Sequence, residues 1–196
     1  MDGLDSAGSA QEPQQRAWLA AFAEFAERRP ERAAVVAQFA NFVRRRPDAA
    51  RRELPEGHLT GSAWLVSADG QRVLLTHHRK LGMWLQLGGH ADGDADLARV
   101  ALREAEEESG LSDLVVEPEI FDLDCHSIPA RGNDPEHFHY DVRFVVHATG
   151  SEQFAVSDES HALAWREVAE VAQDATMDAS VRRMARVWLE RQGGSV

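Results

Sequence analysis

Three glutamates, Glu104, Glu107 and Glu108, stand at i, i+3, i+4 spacing inside the stretch REAEEESGL. On a helix that spacing gathers their carboxylates on one face, while Glu106 points away. Like charges one turn apart repel even when solvated, and partial desolvation raises the cost steeply. Arg103 is a single neighbouring cation against three anions. Two readings follow. The carboxylates hold a hard divalent cation, Mg²⁺ or Mn²⁺, which prefers oxygen ligands. Alternatively, the face is laced with salt bridges to arginines elsewhere.

The residues before the cluster favour an inward face. Leu97, Val100 and Ala101 precede the glutamates on the same side of the predicted helix, so an apolar stripe turns into an acidic one. Just upstream, LGGHADGD carries Gly88 and Gly89. Paired glycines let backbone approach a ligand and offer carbonyls to a metal; they are also common in plain structural turns.

The elements that must position these residues can be read along the chain. Residues 1–12 are polar and expected to be a disordered tail. Residues 13–56 are expected to be a helical extension: Trp18, Leu19, Phe22 and Phe25 recur at helical spacing, Pro30 interrupts, and Val35, Val36, Phe39, Phe42 and Val43 resume. Residues 57–196 then read as one α/β domain. HLTGSAWLVSADGQRVLLTHH is predicted to be a hairpin turning at Asp69-Gly70. MWLQL is a short strand. DADLARVALREAEEESGL is a helix with Asp94 as N-cap and Gly110 as its stop. LVVEPEIFDLDCHSI, HFHYDVRFVVHAT and HALAW are further strands, followed by two amphipathic helical segments.

Composition narrows the class. The chain has 196 residues and a net charge of −12. That surface disfavours nucleic acid as a partner. No apolar run is long enough to span a bilayer, and no signal segment opens the chain. A single cysteine, Cys125, excludes an internal disulfide and fits a reducing, cytoplasmic setting. Lys80 is the only lysine among 21 basic residues.

Taken together, GGHADGDADLARVALREAEEESGL resembles the Nudix box of the Nudix hydrolases. Gly89, Arg103, Glu104, Glu107, Glu108, Gly110 and Leu111 fall in register with it, and Ala105 takes its aliphatic place. Ala95 stands where the pattern has an early glutamate, flanked by Asp94 and Asp96. The resemblance spans roughly residues 59–172 and leaves the N-terminal helices outside. It implies a Nudix-type α/β/α sandwich with a mixed sheet. It also implies hydrolysis of a diphosphate in a nucleoside diphosphate linked to another group, with Mg²⁺ or Mn²⁺ as cofactor. By the same resemblance, Glu107 and Glu108 are metal ligands, and Glu104 is a ligand or the base, oriented by Arg103. The Gly88 carbonyl completes the shell, and Glu159, in a late acidic loop, is an additional ligand candidate. A homodimer is the default for similar proteins.

Other residues are candidates for substrate contact. Strand alternation in HFHYDVRF places Phe138, Tyr140, Val142 and Phe144 on one face and His137, His139, Asp141 and Arg143 on the other. If the first face is core, the second lines solvent or a cleft, with His139 and Arg143 contacting phosphate or base. A histidine metal site there competes poorly with the hard cation already implied. Arg79 and Lys80 offer positive charge to phosphates, or sit at an exposed hairpin end. Trp84 stacks on a base or simply packs. Two other functions use the same fold: a catalytically weak ligand sensor, and a diphosphate isomerase that would depend on Cys125.

Overall fold

A computed structural model describes residues 6–78, 82–132, 135–155 and 160–193, with side chains of residues 6–11, 160 and 161 left aside. The elements run α1 (Ser6–Arg28), a 3-10 turn (Pro30–Arg32), α2 (Ala33–Arg45), β1 (Gly57–Val66), β2 (Arg72–His78), β3 (Trp84–Leu85), β4 (Leu87–His90), α3 (Leu97–Ser109), β5 (Leu114–Ile128), β6 (His137–Ala148), β7 (Ser160–Glu167), α4 (Val168–Gln173) and α5 (Ala179–Arg191). The α/β class expected from the sequence is what forms. The strands order as β3-β2-β1-β6-β5, with β4 pairing β1 and β7 pairing β2. Helix α1 begins at Ser6, inside the stretch expected to be a disordered tail, and carries Pro13 within it.

The chain divides into two compact units that interleave along the sequence. The first comprises residues 1–60, 90–97 and 123–142. Here the expected helical hairpin forms. Trp18, Phe22 and Phe25 of α1 and Phe39, Phe42 and Val43 of α2 are buried. Phe22 meets Phe39 edge-on at 5.4 Å, and Phe42 stacks on Tyr140 at 4.0 Å. Such aromatic pairs add to the burial of apolar area. The Trp18 indole N–H donates to the carbonyl of Ala95 at 3.0 Å, which ties the loop before α3 to the helical hairpin.

The second unit comprises residues 61–89, 98–122 and 143–196. Its core joins Trp64, Val66, Val73, Leu75, Phe121 and Val145 from strands to Val171, Val181, Met184 and Trp188 from α4 and α5. The predicted hairpin turn is present: Val66 pairs with Val73, and Gly70 takes φ 71°, a conformation glycine adopts without steric cost. Helix α5 is capped by Asp178, whose side chain accepts from the amides of Ser180 and Val181. A buried carboxylate, Asp122, receives Arg143 at 3.2 Å and Arg183 at 2.7 Å.

Candidate active site

The acidic residues are carried by α3. Its inward stripe is as predicted: Leu97, Val100 and Ala101 are buried, and Ala105 is buried as well. Asp94 receives the amide of Asp96 at 2.9 Å in the turn ahead of the helix. At the other end Gly110, at φ 66°, donates to the carbonyl of Glu106 at 2.8 Å and stops it.

The carboxylates differ in exposure along that face. The Glu104 side chain is 17% exposed, whereas Glu107 is 64% exposed. Glu108 is half-buried and Glu106 is exposed. So Glu106 is exposed as predicted, but Glu107, expected on the inward side, is exposed as well, and the cluster runs from a sheltered Glu104 to an open Glu107.

Two contacts order the cluster. The amide of Gly88, in β4, donates to Oε1 of Glu108 at 2.9 Å. Arg103 donates through Nη2 to Oε1 of Glu104 at 2.9 Å and stands 3.9 Å from Glu107. Gly89 lies against Glu104 so closely that a Cβ there would come within 2.5 Å of the Glu104 Cδ. Gly88 through its amide and Gly89 through this close approach both lie against the acidic cluster, while a Cβ on Gly88 would meet Ser62 instead.

This donor set suits a hard cation. It offers carboxylate oxygens, one oriented by an arginine and one by a glycine amide.

The other sequence candidates are placed as follows. Trp84 pairs across strands with His77, their rings 5.2 Å apart, and packs against the core of the second unit. It is only partly buried there. Arg143 is 2% exposed, its guanidinium on Asp122 and beside Met184. The alternation expected for HFHYDVRF gives way in β6. Phe138 is 44% exposed, while Asp141 and Arg143 are buried, because this strand is covered on both sides from Asp141 to Val146. His139 lies in the first unit among other histidines. Arg79, Lys80 and Glu159 lie outside the described residues. Cys125 is half-buried, and its thiol is pushed up to about 11 by burial and by Asp124. A thiolate there is disfavoured at neutral pH, which weakens the isomerase reading.

Sequence reasoning passed over His58 and His90, which the structure brings to His139. Nine histidines in the chain were the available signal, but no local motif joins these three.

Comparison with known proteins places this geometry. A family model described as the NUDIX domain matches residues 58–187. No curated protein matches the chain. Among solved structures, a C. elegans Ap4A hydrolase binary complex aligns with TM-score 0.55 at 17% identity, covering 70% of this chain and 98% of that one. A MutT protein from Methanosarcina mazei Go1 aligns with TM-score 0.54 at 17% identity, covering 71% and 97%. The E. coli dihydroneopterin triphosphate pyrophosphohydrolase aligns with TM-score 0.52 at 16% identity, covering 68% and 95%. Among the described residues no helix is long and apolar enough to cross a membrane. The box residues in register on α3, the glycine strand clasping them and the family match over most of the chain agree: the chain belongs to the Nudix family of pyrophosphohydrolases.

Proposed function

We propose that this protein hydrolyses a diphosphate bond in a nucleoside diphosphate linked to another group, or a related compound, in a reaction that needs Mg²⁺ or Mn²⁺. The observation that carries the reading is the clasp at the acidic cluster, in which the Gly88 amide holds Glu108 and the absent Cβ of Gly89 leaves room for Glu104. Glu104, Glu107 and Glu108 would hold the cation, with the Gly88 carbonyl as a further donor and Glu159 as a candidate. When bound, the cation supplies charge neutralisation for the phosphates and lowers the pKa of a coordinated water. Arg103 holds the Glu104 carboxylate in one orientation, so that carboxylate is placed either to ligate or to accept a proton from water. Gly88 does the same for Glu108. Arg79, Lys80 and His139 remain candidates for substrate contact. Trp84 and Arg143 would act there only indirectly, through packing and through the buried ion pair.

The test is phosphate release, coupled to a phosphatase, from nucleoside triphosphates, nucleotide sugars, dinucleoside polyphosphates, ADP-ribose, NADH and coenzyme A. Each is run with Mg²⁺, Mn²⁺ or chelator, beside Glu108→Gln. Metal-dependent turnover lost in the variant supports the reading, and the best substrate names the leaving group. Silence across the panel, from a chain that still binds Mn²⁺, favours the ligand-sensing alternative.

A further inference from the structure

In the first unit three histidines converge, a ligand type different from the carboxylates of α3. His58 lies on β1, His90 ends β4 and His139 lies on β6. Each offers a ring nitrogen, and the three nitrogens all lie within 4.8 Å of one another. The ring centroids are 5.0 Å apart for His58 and His90, 4.7 Å for His58 and His139, and 5.3 Å for His90 and His139.

The polar accounting singles this cluster out. His58 is 2% exposed, and neither of its ring nitrogens has a hydrogen-bond partner. Nε2 of His139 is likewise buried without one. A buried polar group without a partner is costly, and neutral imidazole always carries one donor and one acceptor nitrogen. Ordinary ring packing does not repay that cost, since stacking uses the ring faces and leaves the nitrogens unsatisfied.

We propose that His58, His90 and His139 form a binding site for a zinc-class divalent transition metal, distinct from the carboxylate site of α3. Three imidazoles are a ligand set for Zn²⁺ and a poor one for Mg²⁺. Tetrahedral Zn²⁺, at about 2.0–2.1 Å from each nitrogen, sets the nitrogens about 3.3 Å apart, to be compared with the 4.8 Å within which these three lie. All three ligands sit on strands, so their backbone positions are fixed in advance. His137, its ring 5.2 Å from His58 and 5.3 Å from His139, has Nδ1 on the Pro135 carbonyl, so water would take the fourth position. Negative charge is supplied close by: Asp92 acts on His58 and Asp141 on His139, and Asp141 is itself held by Thr60 at 2.9 Å. Burial and the neighbouring histidines hold His58 down to about 4 and His139 down to about 3, so both rings are neutral, the ligating form, at physiological pH.

The test uses the full chain without a histidine tag. After loading with Zn²⁺ and dialysis against excess Mg²⁺, metal analysis is expected to find about one tightly held zinc per chain. Glu107→Gln with Glu108→Gln is expected to keep that zinc, and His58→Asn with His139→Gln to lose it while circular dichroism stays native. Loading the unmutated chain with Co²⁺ gives a readout that does not depend on any variant folding. Intense visible absorption of tetrahedral nitrogen-ligated Co²⁺ is expected, whereas an oxygen-ligated octahedral ion is nearly colourless. No retained zinc, a pale cobalt form, or zinc lost with the glutamates rather than with the histidines overturns the site. None of these outcomes depends on turnover, so this site and the hydrolase reading stand or fall separately.

Discussion

The amide of Gly88 in β4 donates to Oε1 of Glu108 in the last turns of α3, 2.9 Å away and twenty residues later in the chain. One backbone hydrogen bond thus sets the position of a carboxylate that sequence spacing alone could only place on a helix face. Glu108→Gln keeps an oxygen that accepts from Gly88 and removes the charge. The melting temperature is expected to change little. Turnover is expected to fall by more than the about 10–100-fold that losing an outer-shell partner costs. Steady-state kinetics beside a thermal melt check this; a variant with full turnover would remove Glu108 from the site.

Gly89→Ala tests the close approach. The added Cβ would lie 2.5 Å from the Glu104 Cδ, so the carboxylate must move. A displacement of about 1 Å at a reacting group costs about 100-fold in rate, and that is the expected fall in kcat with a native circular dichroism spectrum. Unchanged kcat would show that Glu104 does not need its present position.

Arg103 reaches Glu104 at 2.9 Å and acts by positioning it. Arg103→Ala is expected to weaken Mn²⁺ binding or turnover by about 10–100-fold. Arg103→Lys restores charge but not the planar donor fork, and recovers only part of it. Mn²⁺ titration by electron paramagnetic resonance separates binding from rate. Equal effects of the two variants would mean that charge plays no part.

Asp122 is the counter-ion of buried Arg143 and of Arg183. Removing one partner of a buried pair leaves the other charge poorly compensated, at a cost of about 3–5 kcal/mol. Asp122→Ala is therefore expected to lose stability on that scale in urea unfolding while Mn²⁺ affinity at α3 is kept. A loss below about 1 kcal/mol would show that the pair is not what holds this part of the core.

Asp178 caps α5, and its hydrogen bonds give a pH-dependent prediction. Burial raises its pKa, but the Ser180 hydroxyl and the Ser180 and Val181 amides outweigh that and leave it below the ordinary 3.8. A carboxylate whose native pKa is depressed stabilises fully above its unfolded value, and that contribution is lost as pH falls from 3.8 through the lower native value. Asp178→Ala is expected to cost about 1 kcal/mol at neutral pH. The gap between variant and parent should close in acid across that window. A gap that does not change with pH would assign the effect to packing rather than to the ionised cap.

Much of the molecule was legible because its determinants are local. The Asp69-Gly70 turn, the α3 stripe with Gly110 as its stop, and the helical hairpin of Phe22, Phe25, Phe39 and Phe42 follow from periodicity and turn chemistry within a few residues. The register of the box on α3 is equally local, since Glu104, Glu107 and Glu108 share a face by helical geometry alone. The β6 strand was misjudged at Phe138 and Arg143 because alternation assumes one buried face, and part of this strand is buried on both.

The sequence by itself determined the family, the acidic face and the order of the elements, because spacing along a helix or strand fixes which side chains share a side. Only the tertiary structure decided which carboxylate is sheltered, that Gly88 and Gly89 clasp the cluster, and that Arg143 serves a buried ion pair. It alone joined His58, His90 and His139, because strands remote in the chain become neighbours only once the first unit has formed, and no local spacing encodes that meeting.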